Sequence, residues 1–287
     1  MFSRPPHPGF AMTARVKDIL DSLNIVAPFH LAEPWDNVGL LLGNPDQEVT
    51  AVLVGLDPTC ALVDEAVALG VNTIVTHHPV IFKPLPAIDT SAPYGILLEK
   101  ALSNRIAIIG CHTNYDNTAD GVSTVLARQL GLENLSPVVP AGADDVGLGR
   151  IGTFAAPLSA ADFLARVLEV LCLESVQMAG RLPDKITRVA VCGGSGSEFA
   201  EQARRSGAEV YLSAEIKHNV AVWAGETGFC IIDGTHYATE KPAVGALVAQ
   251  LEQINLKENW NLRIMQTKTE RHPFVAVQNT TSKVISS

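Results

Sequence analysis

Short apolar runs recur along this chain, each breaking off in glycine, proline or a polar cluster, with segments of helical length between them. AVLVGLD (51–57), NTIVTHHP (72–79) and RIAIIGCH (105–112) are such runs in the first half. RVAVCGG (188–194), AEVYLSA (208–214) and GFCIIDG (228–234) repeat the grammar in the second, with further strands expected at 150–155 and 175–179. Uniformly apolar runs of that length read as buried strands, and strands alternating with helices of ten to fifteen residues read as α/β units. Helices are expected from Thr13 (Val16, Ile19, Leu20 and Leu23 at helical spacing), from Pro58-Thr59 to about Leu69, over 94–104, and from Asp120 to about Leu130. In the second half they are expected at 159–171, from Ser197, through Trp223, and from about Pro242 to Ile254. Residues 131–149 are rich in Pro, Gly and Asp and form a candidate boundary. The expected organisation is α/β: two related α/β domains, 13–135 and 145–277, between a flexible leader (1–12) and a loose tail (278–287), with the C-terminal segment able to pack back on the first domain.

The composition restricts what such a fold can serve. Of 287 residues, 47% are hydrophobic and 18% charged, enough for a real core and too apolar for wholesale disorder. The net charge is −9 and no basic run exceeds Arg204-Arg205, which argues against a general nucleic-acid binder. A small anionic substrate stays compatible if bound divalent cations reverse the local field. The five cysteines show no C-x-x-C spacing and read as free thiols of a reducing, cytoplasmic setting. MFSRPPHPGF lacks the apolar stretch of a signal peptide, and no run approaches the roughly 20 apolar residues of a membrane span.

Chemistry concentrates in polar islands at the ends of these runs. His77, His78, Asp116, His236 and Glu240 lie in THHP, CHTNYDN and GTHYATE. Imidazoles and carboxylates are the ligand set for borderline divalent metals; five exceed what one catalytic zinc needs and suit two close ions sharing a carboxylate. Adjacent histidines on a regular strand point to opposite faces, so His77 and His78 can share a site only where the strand ends, and Pro79 supplies that ending. The competing reading is a surface turn. Asp116 sits in a polar loop with Asn114, Asn117 and Asp120; that loop can offer a carboxylate ligand, cap the helix expected at Asp120, or both. His112 reads as structural or as a partner to a ligand rather than a ligand. Glu240 is expected in the first turn of a helix capped by Thr239, with Pro242 tolerated there; an ordinary N-terminal acid beside an unrelated histidine is the alternative.

Two further segments carry weaker signals. GGSGSEF (193–199) follows a strand, so the amides of Gly193, Gly194, Ser195 and Gly196 are candidates to cradle an anion, although the P-loop lysine is missing and a tight turn explains the glycines equally. SAEIKHN (213–219) places Glu215 and His218 at a strand end as candidate general acid or base, or as caps of the next helix. No G-x-S-x-G elbow occurs, which leaves a serine hydrolase without support.

With these residues in place, the chain resembles the GTP cyclohydrolase 1 type 2 homolog family, also called the interacting-factor-three-like family. The markers are EPWDNVGLLLG (33–43), THHP (76–79), HTNYDN (112–117), AVCGGSGSE (190–198) and GTHYATEKP (234–242), in the family's order. The resemblance runs from about residue 13 to 277, and the chain is similar to the short form that lacks an inserted domain. It implies a dinuclear metal site in the cleft between the domains, held by His77, His78, Asp116, His236 and Glu240, with Glu240 bridging two divalent cations (Zn, Fe, Mn, Co or Ni). It also implies a ring-shaped homo-oligomer, a hexamer. The function so implied is a metal-dependent hydrolase acting on a nucleotide; the alternative is a non-catalytic metal-binding scaffold or protein-interaction regulator.

Overall fold

A computed structural model describes residues 13–142 and 145–275; the expected leader, residues 276–277, the tail and Asp144 of the boundary segment lie outside the described residues. In chain order the first half contains α1 (Val16–Val26), β1 (Gly39–Leu42), β2 (Ala51–Gly55), α2 (Cys60–Leu69), β3 (Thr73–Thr76), α3 (Pro93–Ser103), β4 (Ala107–Gly110), α4 (Thr113–Asn117) and α5 (Val122–Gln129). Next come β5 (Glu133–Ser136), β6 (Val139–Pro140), β7 (Gly147–Leu148), β8 (Arg150–Ser159), α6 (Ala160–Leu171), β9 (Gln177–Ala179) and β10 (Lys185–Ser195). The chain then forms α7 (Ala200–Arg205), β11 (Val210–Ala214), α8 (His218–Thr227), β12 (Cys230–Asp233), α9 (His236–Glu258) and β13 (Arg263–Gln266).

Two mixed sheets result. The first has the order β1-β4-β3-β2-β13, the second β5-β8-β10-β11-β12-β9, and β6 and β7 form a separate short ladder. The runs that read as buried strands form parallel pairs: β2 with β3, β3 with β4, β10 with β11, and β11 with β12. Side chains alternate across each sheet as the pleat requires. Val52 and Val54 pack with Ile19, Leu23, Val244 and Leu247 of α1 and α9, while Leu53 and Ile74 pack with Leu62, Val63 and Leu98 of α2 and α3. In the second sheet Val189, Leu212 and Ile232 meet Leu126, Phe163 and Val167 of α5 and α6; Ala190, Tyr211 and Ile231 meet Ala203 and Ala224 of α7 and α8. Helices on both faces bury both faces, which is why these strands read as continuous apolar runs.

The division is not linear along the chain. The long helix α9 packs on β10 and β11 of the second sheet and on β2 of the first. It then delivers β13 beside β2, with Ile264 opposite Val52. A helix shared by both sheets places the residues at its N-terminus between them.

Several expected boundaries shift for identifiable reasons. The helix expected from Asp120 starts at Val122, and the polar loop before it holds the single helical turn α4. The segment after the glycine turn is a 3-10 turn, Ser197–Phe199, before the six-residue α7. The last helix begins at His236, six residues ahead of Pro242, so the proline lies inside it. A polar stretch of five residues carries no helical period to read, and a proline is weak evidence for a helix start when tertiary packing holds both of its flanks.

Candidate metal centre

Each of the four histidines here is placed by a strand end. β3 stops at Thr76, and the chain continues beside the exit of β2, with the His77 amide donating to Gly55 O at 3.1 Å and the His78 amide to Leu56 O at 2.9 Å. Thr76 Oγ1 donates to His78 O at 2.7 Å and tightens the turn. The two adjacent imidazoles thereby escape the opposite-face rule, and their ring centroids lie 5.0 Å apart. His112 follows β4 as the residue before α4, whose one turn carries Asp116. His236 opens α9 directly after β12, and Glu240, four residues on, shares its helix face.

Thr235, not Thr239, caps this helix: the Thr235 hydroxyl accepts from the Ala238 amide. The Thr239 hydroxyl instead donates to Thr235 O at 2.9 Å and accepts from the Gly194 amide at 3.0 Å. Glu240 therefore lies in the second turn, where it pairs with His236, rather than at the helix start. Thr235 has φ +64° and Glu215 φ +52°. A β-branched residue in the left-handed region is strained, and both strained residues flank His236.

The five side chains expected as ligands converge. His77 Nε2 lies 3.6 Å from Glu240 Oε1 and 3.8 Å from Asp116 Oδ1. His78 Nε2 and His236 Nε2 lie 3.1 and 3.0 Å from Glu240 Oε2, and 3.3 Å from each other. The two oxygens of Glu240 thus face two different imidazole sets. His77 Nε2, Asp116 Oδ1 and Glu240 Oε2 are buried and have no aligned hydrogen-bond partner. Buried polar atoms left in that state are costly, and three of them aimed into one place call for a common partner.

The outward nitrogens tell the same story. His77 Nδ1 pairs with Cys111 O at 2.9 Å, His78 Nδ1 with Asp57 Oδ1 at 2.7 Å, His112 Nδ1 with Asp36 Oδ1 at 2.8 Å, and His236 Nδ1 with Glu215 Oε1 at 2.9 Å. An acceptor on Nδ1 fixes the proton there and leaves Nε2 as the inward lone pair, the arrangement that metal-ligating histidines adopt. Two groups, His77–His78–His112 and His78–His236–Glu240, each bring ligand atoms within 4.8 Å of one another and could hold metal ions. The donor set fits a borderline divalent cation.

Without a cation the cluster is a charge network. Burial opposes protonation of His78, but Asp57 and Glu240 outweigh it and push its pKa up to about 10. His236 is raised to about 9 by Glu240 and Glu215 against its own burial. Burial would raise Glu240, yet the charge of His77 and the imidazoles of His236 and His78 hold it well below the usual carboxylate range. Asp116 is raised, by burial first and then by the charge of Glu240, with His77 only partly offsetting them.

The remaining expected residues fare differently. Glu215 reaches the cluster through His236. His218 is exposed, starts α8 and makes no hydrogen bond to the cluster among the described residues. The amides of Gly193 and Gly194 are taken by Ser123 Oγ (3.2 Å) and Thr239 Oγ1 (3.0 Å), so neither is free for the anion expected there. The turn serves close approach instead. Gly194 has φ +66°, and a Cβ on it would stand 2.1 Å from Glu240 Oε1. Ser195 still pairs with Ala214 in the sheet, and a Cβ on Gly196 would meet Ser213 Oγ at 2.5 Å. His112, read from sequence as a supporting residue, has a ring nitrogen within 4.8 Å of ring nitrogens of His77 and His78, in a group that could hold a metal ion. Asp36 and Asp57 were missed as orienting carboxylates; the signal available was an acid just past a strand (Asp57) and one inside the marker EPWDNVGL (Asp36). A cavity of about 950 Å³ opens near the start of α9, lined by Thr235, Tyr237, Lys241 and His272 among others, but by none of the five clustered residues.

The two-sheet α/β architecture carries, at the shared helix, a histidine–carboxylate group that could hold metal ions. The chain belongs to the Duf34/NIF3 (NGG1p interacting factor 3) family, whose model matches residues 14–273. It is 35% identical over 268 residues to a Streptomyces coelicolor protein named "GTP cyclohydrolase 1 type 2 homolog", covering 91% of this chain and 94% of that one. A Nostoc protein of the same name is 36% identical over 211 residues, 73% of this chain and 80% of its own length. Among solved structures, Staphylococcus aureus protein SA1388 superposes with a TM-score of 0.86 at 31% identity, covering 92% of this chain and 99% of that one. A Bacillus cereus protein related to NIF3 gives 0.87 at 26% identity, covering 92% and 99%. No helix among the described residues is long and apolar enough to cross a membrane.

Proposed function

We propose that this chain is a metal-dependent hydrolase acting on a nucleotide, with two divalent cations held by His77, His78, Asp116, His236 and Glu240. The observation that carries the reading is the pair of Glu240 oxygens, each facing its own imidazole set, beside buried nitrogen and oxygen atoms that lack partners. Such a carboxylate suits a bridge between two ions. Paired divalent cations supply Lewis acidity and lower the pKa of water.

The chain's own residues set the geometry and handle protons. Asp57, Glu215 and the Cys111 carbonyl hold His78, His236 and His77 with Nε2 inward. Glu215 is therefore a positioning residue for His236, which gives the strained backbone at Glu215 a use. His112 keeps its proton on Nδ1 against Asp36, and its Nε2 can accept or deliver a proton at a substrate atom. The relatives' shared name makes GTP the first substrate to test.

The experiment pairs elemental analysis of the untagged protein with turnover of GTP, other nucleotides and phosphoesters, using His78→Ala as control. Two ions per chain and turnover that disappears in the control are the expected results. Fewer ions, or turnover equal to the control, overturns the proposal; full metal content without turnover selects the scaffold reading.

A further inference from the structure

We propose that Trp35 and Phe82 form a ring-binding wall at the mouth of the cluster, which takes a substrate carrying a planar nitrogen heterocycle; this rests on reading the cluster as a reaction centre. Trp35 is 61% exposed and Phe82 42% exposed, yet the two touch, with ring centroids 5.9 Å apart and planes at 75°. Single exposed apolar side chains are ordinary, but two large aromatics held together beside a polar site mark a binding surface. Both rings stand against His112, at 6.3 and 6.0 Å. His112 in turn lies 5.3 Å from His77 and 5.6 Å from His78. One imidazole therefore separates the aromatic pair from the inward nitrogens.

The pair is also held still. Next to Trp35, the carboxylate of Asp36 accepts from His112 Nδ1 (2.8 Å), the Thr113 amide (3.0 Å) and Thr113 Oγ1 (2.5 Å). Next to Phe82, Ile81 O accepts from Asn37 Nδ2, and Val80 O accepts from Tyr94 Oη. These bonds fix the backbone beside both rings to the segments that carry His78 and His112. Near-perpendicular rings make a corner: a planar ligand ring stacked on one face presents its edge to the other, the favoured geometry for aromatic contact. Polar substituents of that ring would then point toward His112 Nε2 and the cluster. A planar base offers this corner both a face and an edge, where a sugar or aliphatic chain offers only C–H groups, so the wall favours a base.

Equilibrium binding of guanosine 5′-monophosphate, uridine 5′-monophosphate and ribose 5-phosphate to the metal-loaded full chain tests this by calorimetry. Both nucleotides should bind at least tenfold tighter than ribose 5-phosphate. Trp35→Ala should weaken the nucleotides by roughly tenfold or more and leave ribose 5-phosphate unchanged, as expected for a lost stacking contact. Trp35→Phe should restore most of the loss. Equal binding of all three probes, no saturable binding, or unchanged nucleotide affinity in Trp35→Ala overturns the proposal. So does a change in sedimentation on Trp35→Ala, because a second copy would then be the occupant, or a loss of metal, because the ring would then be part of the cluster's support. Failure of the hydrolase reading looks different: nucleotide binding that depends on Trp35, with no turnover.

Discussion

Gly194→Ala tests whether the glycine turn exists to admit the Glu240 carboxylate. The substitution has two physical effects that can be separated. The first is backbone strain: at φ +66° a side chain costs on the order of 1–2 kcal/mol. The second is collision, since the new Cβ would lie 2.1 Å from Glu240 Oε1, 3.1 Å from Glu240 Cδ and 3.3 Å from His236 Nε2. Ordinary contact needs about 3.5 Å, so the oxygen must retreat by roughly 1.4 Å or the turn must open. Oε1 is the oxygen facing His77 Nε2 at 3.6 Å, and a shift of that size removes it from the His77–Asp116 side of the cluster. Gly70→Ala is the control, because Gly70 has φ +67° and nothing within 4 Å of an added Cβ. The two variants share the strain and differ in the collision. By elemental analysis after dialysis, Gly70→Ala should keep the wild-type metal content. Gly194→Ala should lose metal, with an apparent affinity at least 10- to 100-fold weaker, the range found for disturbed ligand support. Both should unfold a few degrees lower than wild type in chelator, at about 2–4 °C per kcal/mol for a chain of this size. Wild-type metal content and affinity in Gly194→Ala would refute the reasoning.

Four further outcomes follow from the same geometry. Glu240→Gln keeps shape but removes the charge facing three imidazoles, so metal content should fall by at least one ion per chain; full retention would remove Glu240 from the ligand set. Asp57→Asn should weaken metal binding by roughly 10- to 100-fold by loosening the tautomer of His78, read by competition with a chelating dye. Loading displaces protons from His78 (about 10) and His236 (about 9), so apparent metal affinity should climb with pH between roughly 6.5 and 9, by as much as about 100-fold per unit, and a flat profile would contradict the network. In the metal-free protein the sign for stability is opposite: the raised His78 pKa contributes fully below about 6.5 and is lost as pH rises to about 10, on the order of several kcal/mol, whereas the lowered Glu240 pKa contributes above about 4.5 and is lost in acid. Thermal unfolding in chelator should therefore peak near pH 5–6.5 and fall toward pH 10.

Much of the fold was legible because burial on both faces leaves a plain trace. Ala51–Gly55, Thr73–Thr76 and Ala107–Gly110 are buried at every position, and each carries an uninterrupted apolar run. The edges were harder. β1 is one short run in a turn-rich segment and becomes an antiparallel edge against β4. Nothing local in Arg263–Gln266 says that it pairs with Ala51–Val54, two hundred residues earlier; that pairing is set by where α9 ends. The start of α9 is hidden in the sequence for a related reason. Its cap is a β-branched residue at positive φ, a conformation that Asp233 Oδ1, bonded to the Thr235 amide at 2.9 Å, and His272 Nε2, bonded to Thr235 Oγ1 at 2.9 Å, hold in place. Propensity cannot see a strain that long-range partners sustain.

The same limit divides the site itself. Candidate metal donors announce themselves by residue type: three histidines and two acids in short polar islands are rare company, and the fold brings the three histidines to Glu240 and Asp116 to His77. The groups that orient them do so by position alone. Asp36, Asp57 and Glu215 are ordinary exposed-looking acids in sequence, and Cys111 contributes only a carbonyl, yet each fixes one imidazole. A backbone carbonyl carries no sequence signature at all, and an acid acquires its role only when the opposite strand end arrives beside it. The glycine at 194 makes the point from the other side. Its sequence context reads as an anion cradle, but its amide is already bonded to Thr239 and its missing side chain is the space that Glu240 fills. Residue type thus marks the candidate donors of this cluster, while their alignment belongs to the tertiary structure. It follows that substitutions at the orienting positions should alter metal affinity and its pH dependence while leaving the donor count intact.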